Sequence, residues 1–461
     1  MQISKRDFPI PFCNGSNENF HHGEIPLAAK SLFHKTFLWN QNDYLCSVSG
    51  AFRTIRIGVF ISAVNLLIQG VAFLVGNFTA RNLGNVSFAY FGILQNDYTI
   101  FCSLADFGTT TLLLAFFGKR ITQGKMLRHA FQLRYALSVF SMLSMALFAV
   151  LVRRNHPAFR GEFVLAFGLL FQHAFFDWYF ICGKFWKKLL AAKILHTISY
   201  SAVMAFALFY LKVQSIEGIA LSMVLAALPA WAFGATAALR PAIFRITHRS
   251  LLFIRLMLSK AFPFALSSLA SFLYLPLGLY AMDVFAPREM FGAYNYANKL
   301  VVLASGMMVN FISSSLVAKH ETNDSTLHIK DIAVFTFFIA LCTSPAWICP
   351  EFCLNWLFFA SPMHGDSAVL QFSAYCFSVL VFSLVLQAFR TSFVATMLKE
   401  KRLWSYVAFI FIGGIFNAFA VFALPAMGTS PHLIPVLTLT GDLALSVLLL
   451  GYFQKRRRIR L

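Results

Sequence analysis

Twelve apolar runs follow one another through this chain, at approximately residues 57–78, 88–117, 135–152, 163–182, 189–211, 216–239, 262–285, 294–317, 332–348, 369–389, 403–424 and 433–453. A hydrocarbon core of roughly 30 Å takes about 20 residues of α-helix to cross. Inside it, a spanning segment must satisfy its own backbone hydrogen bonds, which a helix does and an open strand does not. The runs therefore predict an all-α polytopic membrane protein of about 12 transmembrane helices. Charge agrees: only 12% of residues are Asp, Glu, Lys or Arg, about half the share usual in soluble domains.

The formal charge of +20 would suit nucleic acid if it formed one basic surface. It lies instead in the short connections between apolar runs, as membrane topology requires, so no nucleic-acid partner is expected. With the N-terminus in the cytoplasm, the connections on that side and the two tails hold 31 of the 38 Lys and Arg residues. The opposite side holds the other 7, among them Arg81, Arg153, Arg154 and Arg160. This asymmetry places both termini in the cytoplasm. Membrane lipids are then a partner, and the basic tail Lys455 to Arg460 reads as a stop-transfer anchor.

Residues 1–50 are polar and irregular and lack the apolar core of a secretory signal. They are expected to form a flexible cytoplasmic extension. Residues 51–240 carry six runs, 241–260 form a basic amphipathic connection, 261–453 carry six more, and 454–461 are the tail. The eight cysteines are scattered. Cys349 and Cys353, a C-x3-C pair, read as packing residues rather than a bond or a metal site.

Six runs return a chain to the side from which it started, so the two halves must share one topology. A faint internal echo supports this. Leu83-Gly84-Asn85-Val86-Ser87-Phe88-Ala89-Tyr90-Phe91 after the first run corresponds to Ala286-Pro287-Arg288-Glu289-Met290-Phe291-Gly292-Ala293-Tyr294 after the seventh, 203 residues on. The expected architecture is two six-helix lobes related by a pseudo-twofold axis along the membrane normal.

At these motifs the chain resembles the polysaccharide (O-antigen type) flippases of the multidrug/oligosaccharidyl-lipid/polysaccharide exporter superfamily. Ala80 to Gly92, ARNLGNVSFAYFG, is similar to that family's Ala-Arg-x-Leu-Gly segment, and Leu104 to Gly108, LADFG, to its Asp-Phe-Gly ending of the second span. Lys260 to Leu269, KAFPFALSSL, and Phe291 to Leu300, FGAYNYANKL, are similar to the entries of its seventh and eighth spans. Ala89 stands where that family usually has Gly.

The resemblance implies a flippase, not an enzyme, in a bacterial cytoplasmic (inner) membrane. It would move a polyprenyl-pyrophosphate-linked oligosaccharide from the cytoplasmic to the outer leaflet by alternating access with ion coupling. The implied partners are that lipid-linked oligosaccharide and other polysaccharide-assembly proteins, such as a polymerase and glycosyltransferases. No nucleotide-binding loop is present in the sequence and no cofactor is expected. Two other readings compete: a multidrug and toxin extrusion-type cation antiporter, and a membrane-embedded polysaccharide polymerase or ligase. The first calls for an acidic, aromatic cavity. The second calls for a large outer loop, whereas the longest here, 350–368, carries no Lys or Arg.

A pyrophosphate head group needs fixed positive charge within the bilayer, where charge is rare. Lys299, with Asn295 one turn earlier and Tyr296 beside it, is the leading candidate; snorkelling to the surface is its alternative role. Arg81 and Arg390, near run ends, are further head-group candidates that also suit interfacial anchoring. Among acids, Asp97 lies near the middle of the second run, and the echo sets Lys299 opposite Asn96. Asp97 and Lys299 are therefore a candidate pair between the lobes.

His173 and Asp177 stand i, i+4 and would share a face of the fourth helix, as an ion-coupling or a structural pair; Asp442 is a lone coupling candidate. Asp106, in a tripeptide that copies a kinase motif without its context, should cap its helix or pair with Lys119, Arg120 or Lys125. Gly70, Gly76, Pro263, Pro276 and Gly278 interrupt the first and seventh runs and are candidate hinges.

Overall fold

The structure is a computed structural model. It describes the backbone of residues 28–116, 125–183, 185–238, 248–321, 329–358, 367–399 and 403–460, and the side chains of a narrower set. Residues 1–56 and 57–461 form separate compact units, and the second is described here. Residues 1–27, Lys119, Arg120 and the side chains of Lys125, His173 and the basic tail lie outside the described residues.

No strand occurs among the described residues. The principal helices are α1 (Ala28–Asp106), α2 (Thr109–Phe116), α3 (Lys125–Val152), α4 (Phe159–Gly168), α5 (Asp177–Cys182), α6 (Trp186–Ala205) and α7 (Ile216–Ala238). They continue with α8 (His248–Ala270), α9 (Leu275–Phe285), α10 (Arg288–Glu321), α11 (Ile329–Ile348), α12 (Pro350–Leu357), α13 (Ser367–Lys399) and α14 (Leu403–Ala418). The short α15 (Leu424–Ala426) and α16 (Ile434–Leu437) precede α17 (Thr440–Arg460).

Seven helical segments among the described residues are long and apolar enough to cross a membrane, and a bent pair makes an eighth. That pair, Thr336–Ile348 and Pro350–Leu357, turns by 91°. Four of the twelve sequence runs are not separate spans by this measure. The first two share α1, which breaks at Gly84, where φ of 75° and ψ of 169° suit a residue without Cβ. The fourth is cut by Gln172, whose ψ of 126° separates short helical turns. The eighth lies within α10, which begins six residues earlier than the apolar run.

Surface and interior are inverted relative to a soluble protein. On α3, Phe140, Leu143, Leu147 and Leu151 are exposed, each by more than half its area, whereas Arg134, Ser138 and Ser141 are buried on the opposite face. In water such a stripe would be a large apolar patch; in lipid it is the ordinary outer face. The chain is a multi-pass membrane protein.

The largest buried cluster joins the two halves of the sequence. Ala80, Phe88, Phe91 and Leu94 of α1 pack with Leu279 and Met282 of α9, Tyr294, Ala297 and Val301 of α10, and Leu380 and Leu384 of α13. A second cluster lies around Phe131, Phe176, Trp178 and Phe180, with Met257 and Ala261 of α8 against it.

Candidate functional site

The seam between the halves is built from the two stretches that echo each other in sequence. Asn295 donates a hydrogen bond from Nδ2 to the carbonyl of Phe88 at 2.9 Å. Tyr296 donates from its hydroxyl to Oδ1 of Asn85 at 2.9 Å. Gly92 lies so close to Asn295 that a Cβ on it would stand 2.3 Å from Oδ1. Asn77 adds a bond from Nδ2 to the carbonyl of Leu357, at 2.6 Å. Asn295 and Tyr296, both fully buried, thus fasten α10 to α1 in this conformation.

Lys299 lies eleven residues into α10, at a depth of about 16 Å along the helix. Its ammonium donates to Oε1 of Gln95 across the seam and lies 5.9 Å from the centre of the Phe91 ring. Both contacts belong to α1, so the charge faces the other half of the chain. The candidate pair Asp97–Lys299 is not formed here. Register explains this: α1 presents Gln95 to the lysine and turns Asp97 toward α9.

Asp97 accepts a hydrogen bond from the Tyr280 hydroxyl at 2.7 Å and lies 3.6 Å from Nη2 of Arg153. Arg153 also stands 3.7 Å from Glu162 and 3.9 Å from Asp283, while His156 Nε2 is 3.0 Å from the same Asp283 carboxylate. Composition counts Arg153 as a loop charge, and nothing local marks it as the centre of a buried cluster. The only sequence signal was Asp97 itself, an acid in an apolar run.

Asp442 is not alone, and Arg390 is not simply an anchor. The Arg390 guanidinium pairs with the fully buried Asp442 carboxylate, which also accepts from Ser383 at 2.7 Å. Arg390 lies 5.0 Å from the centre of the Tyr274 ring. The helices α13 and α17 bring this pair together, 52 residues apart.

His173 opens the 3-10 turn His173–Phe176 and Asp177 opens α5 directly after it, both beyond the break at Gln172; the His173 side chain lies outside the described residues. Asp177 stands 3.9 Å from Lys193 of α6. Asp106 is bound by Arg134 of α3 at 2.7 Å and by Thr110 at 2.5 Å; the loop candidates Lys119, Arg120 and the Lys125 side chain lie outside the described residues. Arg81 is exposed.

Of the candidate hinges, Gly278 is a packing point: a Cβ there would fall 2.0 Å from the Tyr294 hydroxyl oxygen. The seventh run breaks at Tyr274, with φ of −110° and ψ of −121°, two residues before Pro276 in the first turn of α9. Pro263 lies within the continuous α8. Gly70 and Gly76 have open space where a Cβ would point.

The described fold is similar to solved transporters of the MOP superfamily. A multidrug resistance MATE family transporter in an inward-facing conformation superposes with a TM-score of 0.63 at 14% identity, covering 87% of this chain and 98% of its own. The lipid II flippase MurJ, in an inward closed conformation, gives a TM-score of 0.65 at 11% identity, covering 87% of each chain. A MOP superfamily transporter from Pyrococcus furiosus, described as having a binding pocket of reversed polarity, gives 0.62 at 14%, covering 88% of this chain and 96% of its own. A search of curated proteins found no match. Sequence supplies the family: the model of the polysaccharide biosynthesis protein family matches residues 56–317, more than half of the chain, and the chain belongs to that family.

Proposed function

We propose that this protein is a flippase that carries a polyprenyl-pyrophosphate-linked oligosaccharide from the cytoplasmic to the outer leaflet of a bacterial inner membrane. Two six-helix lobes would alternate around a cleft between them, with both termini in the cytoplasm. The family match supports a role in polysaccharide assembly, and the fold is that of transporters that include a lipid II flippase.

The observation that carries the reading is Lys299. It is a cation about three helical turns into α10, facing the seam, with a neutral amide as its hydrogen-bond partner. Among the described residues no carboxylate pairs with it, and a cation in a buried seam favours an anionic ligand such as a pyrophosphate. A cation-exporting cavity would be disfavoured by the same lysine. In this reading Gln95 holds the ammonium until the head group replaces it, and Asn295 and Tyr296 set the helix in place. Arg81, exposed after the first run, would meet the head group late, at the outer rim.

The test is transport of a fluorescent polyprenyl-pyrophosphate oligosaccharide in proteoliposomes, read by its accessibility to an impermeant quencher. We expect the wild type to move it, Lys299→Gln to slow it at least tenfold, and Lys299→Arg to retain part of the rate. Wild-type rates in Lys299→Gln, or no movement by the wild type, would overturn the assignment.

A further inference from the structure

Four structural elements bring charged groups together at the α3–α4 turn. Asp97 comes from α1, Arg153 and His156 from the turn, Glu162 from α4 and Asp283 from α9. Tyr280 of α9 donates to Asp97, Tyr90 of α1 lies edge-on to His156 at 5.1 Å, and Arg288 of α10 is exposed nearby. Glu162 is completely buried, and neither of its carboxylate oxygens makes a hydrogen bond; Asp97 Oδ2 also lacks one. Arg153 reaches three carboxylates at 3.6, 3.7 and 3.9 Å, close enough for attraction but too far for hydrogen bonding.

The charges do not balance. Three carboxylates face one guanidinium and one imidazole, so even a charged His156 leaves one negative charge over among the buried groups. The further cation, Arg288, is exposed and acts on Tyr90 rather than on Asp97 or Glu162. A proton resolves both problems together. Shared between Asp97 Oδ2 and a Glu162 oxygen, it removes the surplus charge and supplies the hydrogen bond that both atoms lack. A metal ion fits worse: Arg153 already stands among the acids, and no group of three or more His, Cys, Asp or Glu among the described residues could hold one.

The geometry points to a proton-binding site formed by Asp97 and Glu162, with Arg153 as the element that senses its occupancy. When the pair holds the proton, Arg153 is less strongly drawn to it, and its attraction to Asp283 in the other half of the chain grows in relative weight. When the proton leaves to water, Arg153 is held by Asp97 and Glu162 and its grip on Asp283 weakens. Proton occupancy thereby sets the strength of the Arg153–Asp283 contact across the seam. What that contact gates rests on the transporter reading above; the site itself does not.

Infrared difference spectroscopy on the purified full-length protein in nanodiscs, stepping the pH, tests the site without any substrate. We expect one protonated-carboxyl C=O band that shifts in deuterium oxide and is lost in both Glu162→Gln and Asp97→Asn but kept in Asp283→Asn. Carbon-13 labelling of Asp or Glu carboxyls in the wild type reads the same band without mutation. A band that survives both substitutions, that responds to neither label, or that never forms overturns the proposal. Removal of the band by sodium at constant pH overturns it in favour of a metal ion. Because the oligosaccharide is absent, a positive result beside failed transport would sink the flippase reading and leave the proton site standing.

Discussion

Gly92 and Asn295 are 203 positions apart, equivalent under the internal echo, and in contact: a Cβ on Gly92 would overlap the Asn295 amide, 2.3 Å from its oxygen. This contact locates the close approach of α1 and α10. Gly92→Ala should lower stability by about 1–3 kcal/mol through overpacking. Asn295→Ala removes the atoms that would be struck, so the double variant should recover most of that loss. Thermal unfolding of the four proteins of this cycle checks it, and additivity would refute the contact.

Arg153 holds three carboxylates from α1, α4 and α9. Arg153→Leu should cost about 3–5 kcal/mol, because a buried acid left without its partner is far worse than no pair at all. Arg153→Lys should lie between leucine and wild type, since a single ammonium cannot fork toward three acids. The unfolding midpoints should rank in that order.

The Arg390–Asp442 pair separates a structural role from a transport role. Asp442→Ala should destabilise by about 3–5 kcal/mol, whereas Arg390→Met with Asp442→Leu should restore most of the stability. If the pair is structural only, the double variant also transports at near wild-type rate. A stable double variant that has lost transport would assign the pair to coupling or to the head group.

Two glycines should respond in opposite ways. Gly108 has φ of +66°, and a Cβ there would lie 2.4 Å from Phe264 Cβ and 2.8 Å from the backbone nitrogen of Ala265. Gly108→Ala should therefore lose at least about 1–3 kcal/mol. Gly70 is helical with nothing near, so Gly70→Ala should gain about 0.5–1 kcal/mol. Slower transport in that stabilised variant would identify Gly70 as a hinge.

The motifs that carried the family resemblance were legible because they are local. The Gly84 break in α1, the Asp106–Gly108 turn and the opening of α10 each depend on residues within a few positions. Depth was less legible. Lys299 could be placed only from where hydrophobicity begins, whereas its helix already starts at the polar Arg288 and its partner Gln95 comes from the other half of the chain. The break within the fourth run was not legible because periodicity assumes an unbroken helix, and the turn at Gln172 leaves no composition signal.

By itself, the amino-acid sequence determined that this chain crosses a membrane many times and belongs to its family. Hydropathy, loop charge and short motifs are properties of neighbouring residues. Only the tertiary structure decided which charges meet. Asp97, Arg153, Glu162 and Asp283 are scattered along nearly 190 residues, and each reads as ordinary where it stands. Burial removes the water that would otherwise keep them independent, so their chemistry exists only once helices from both halves have closed around them.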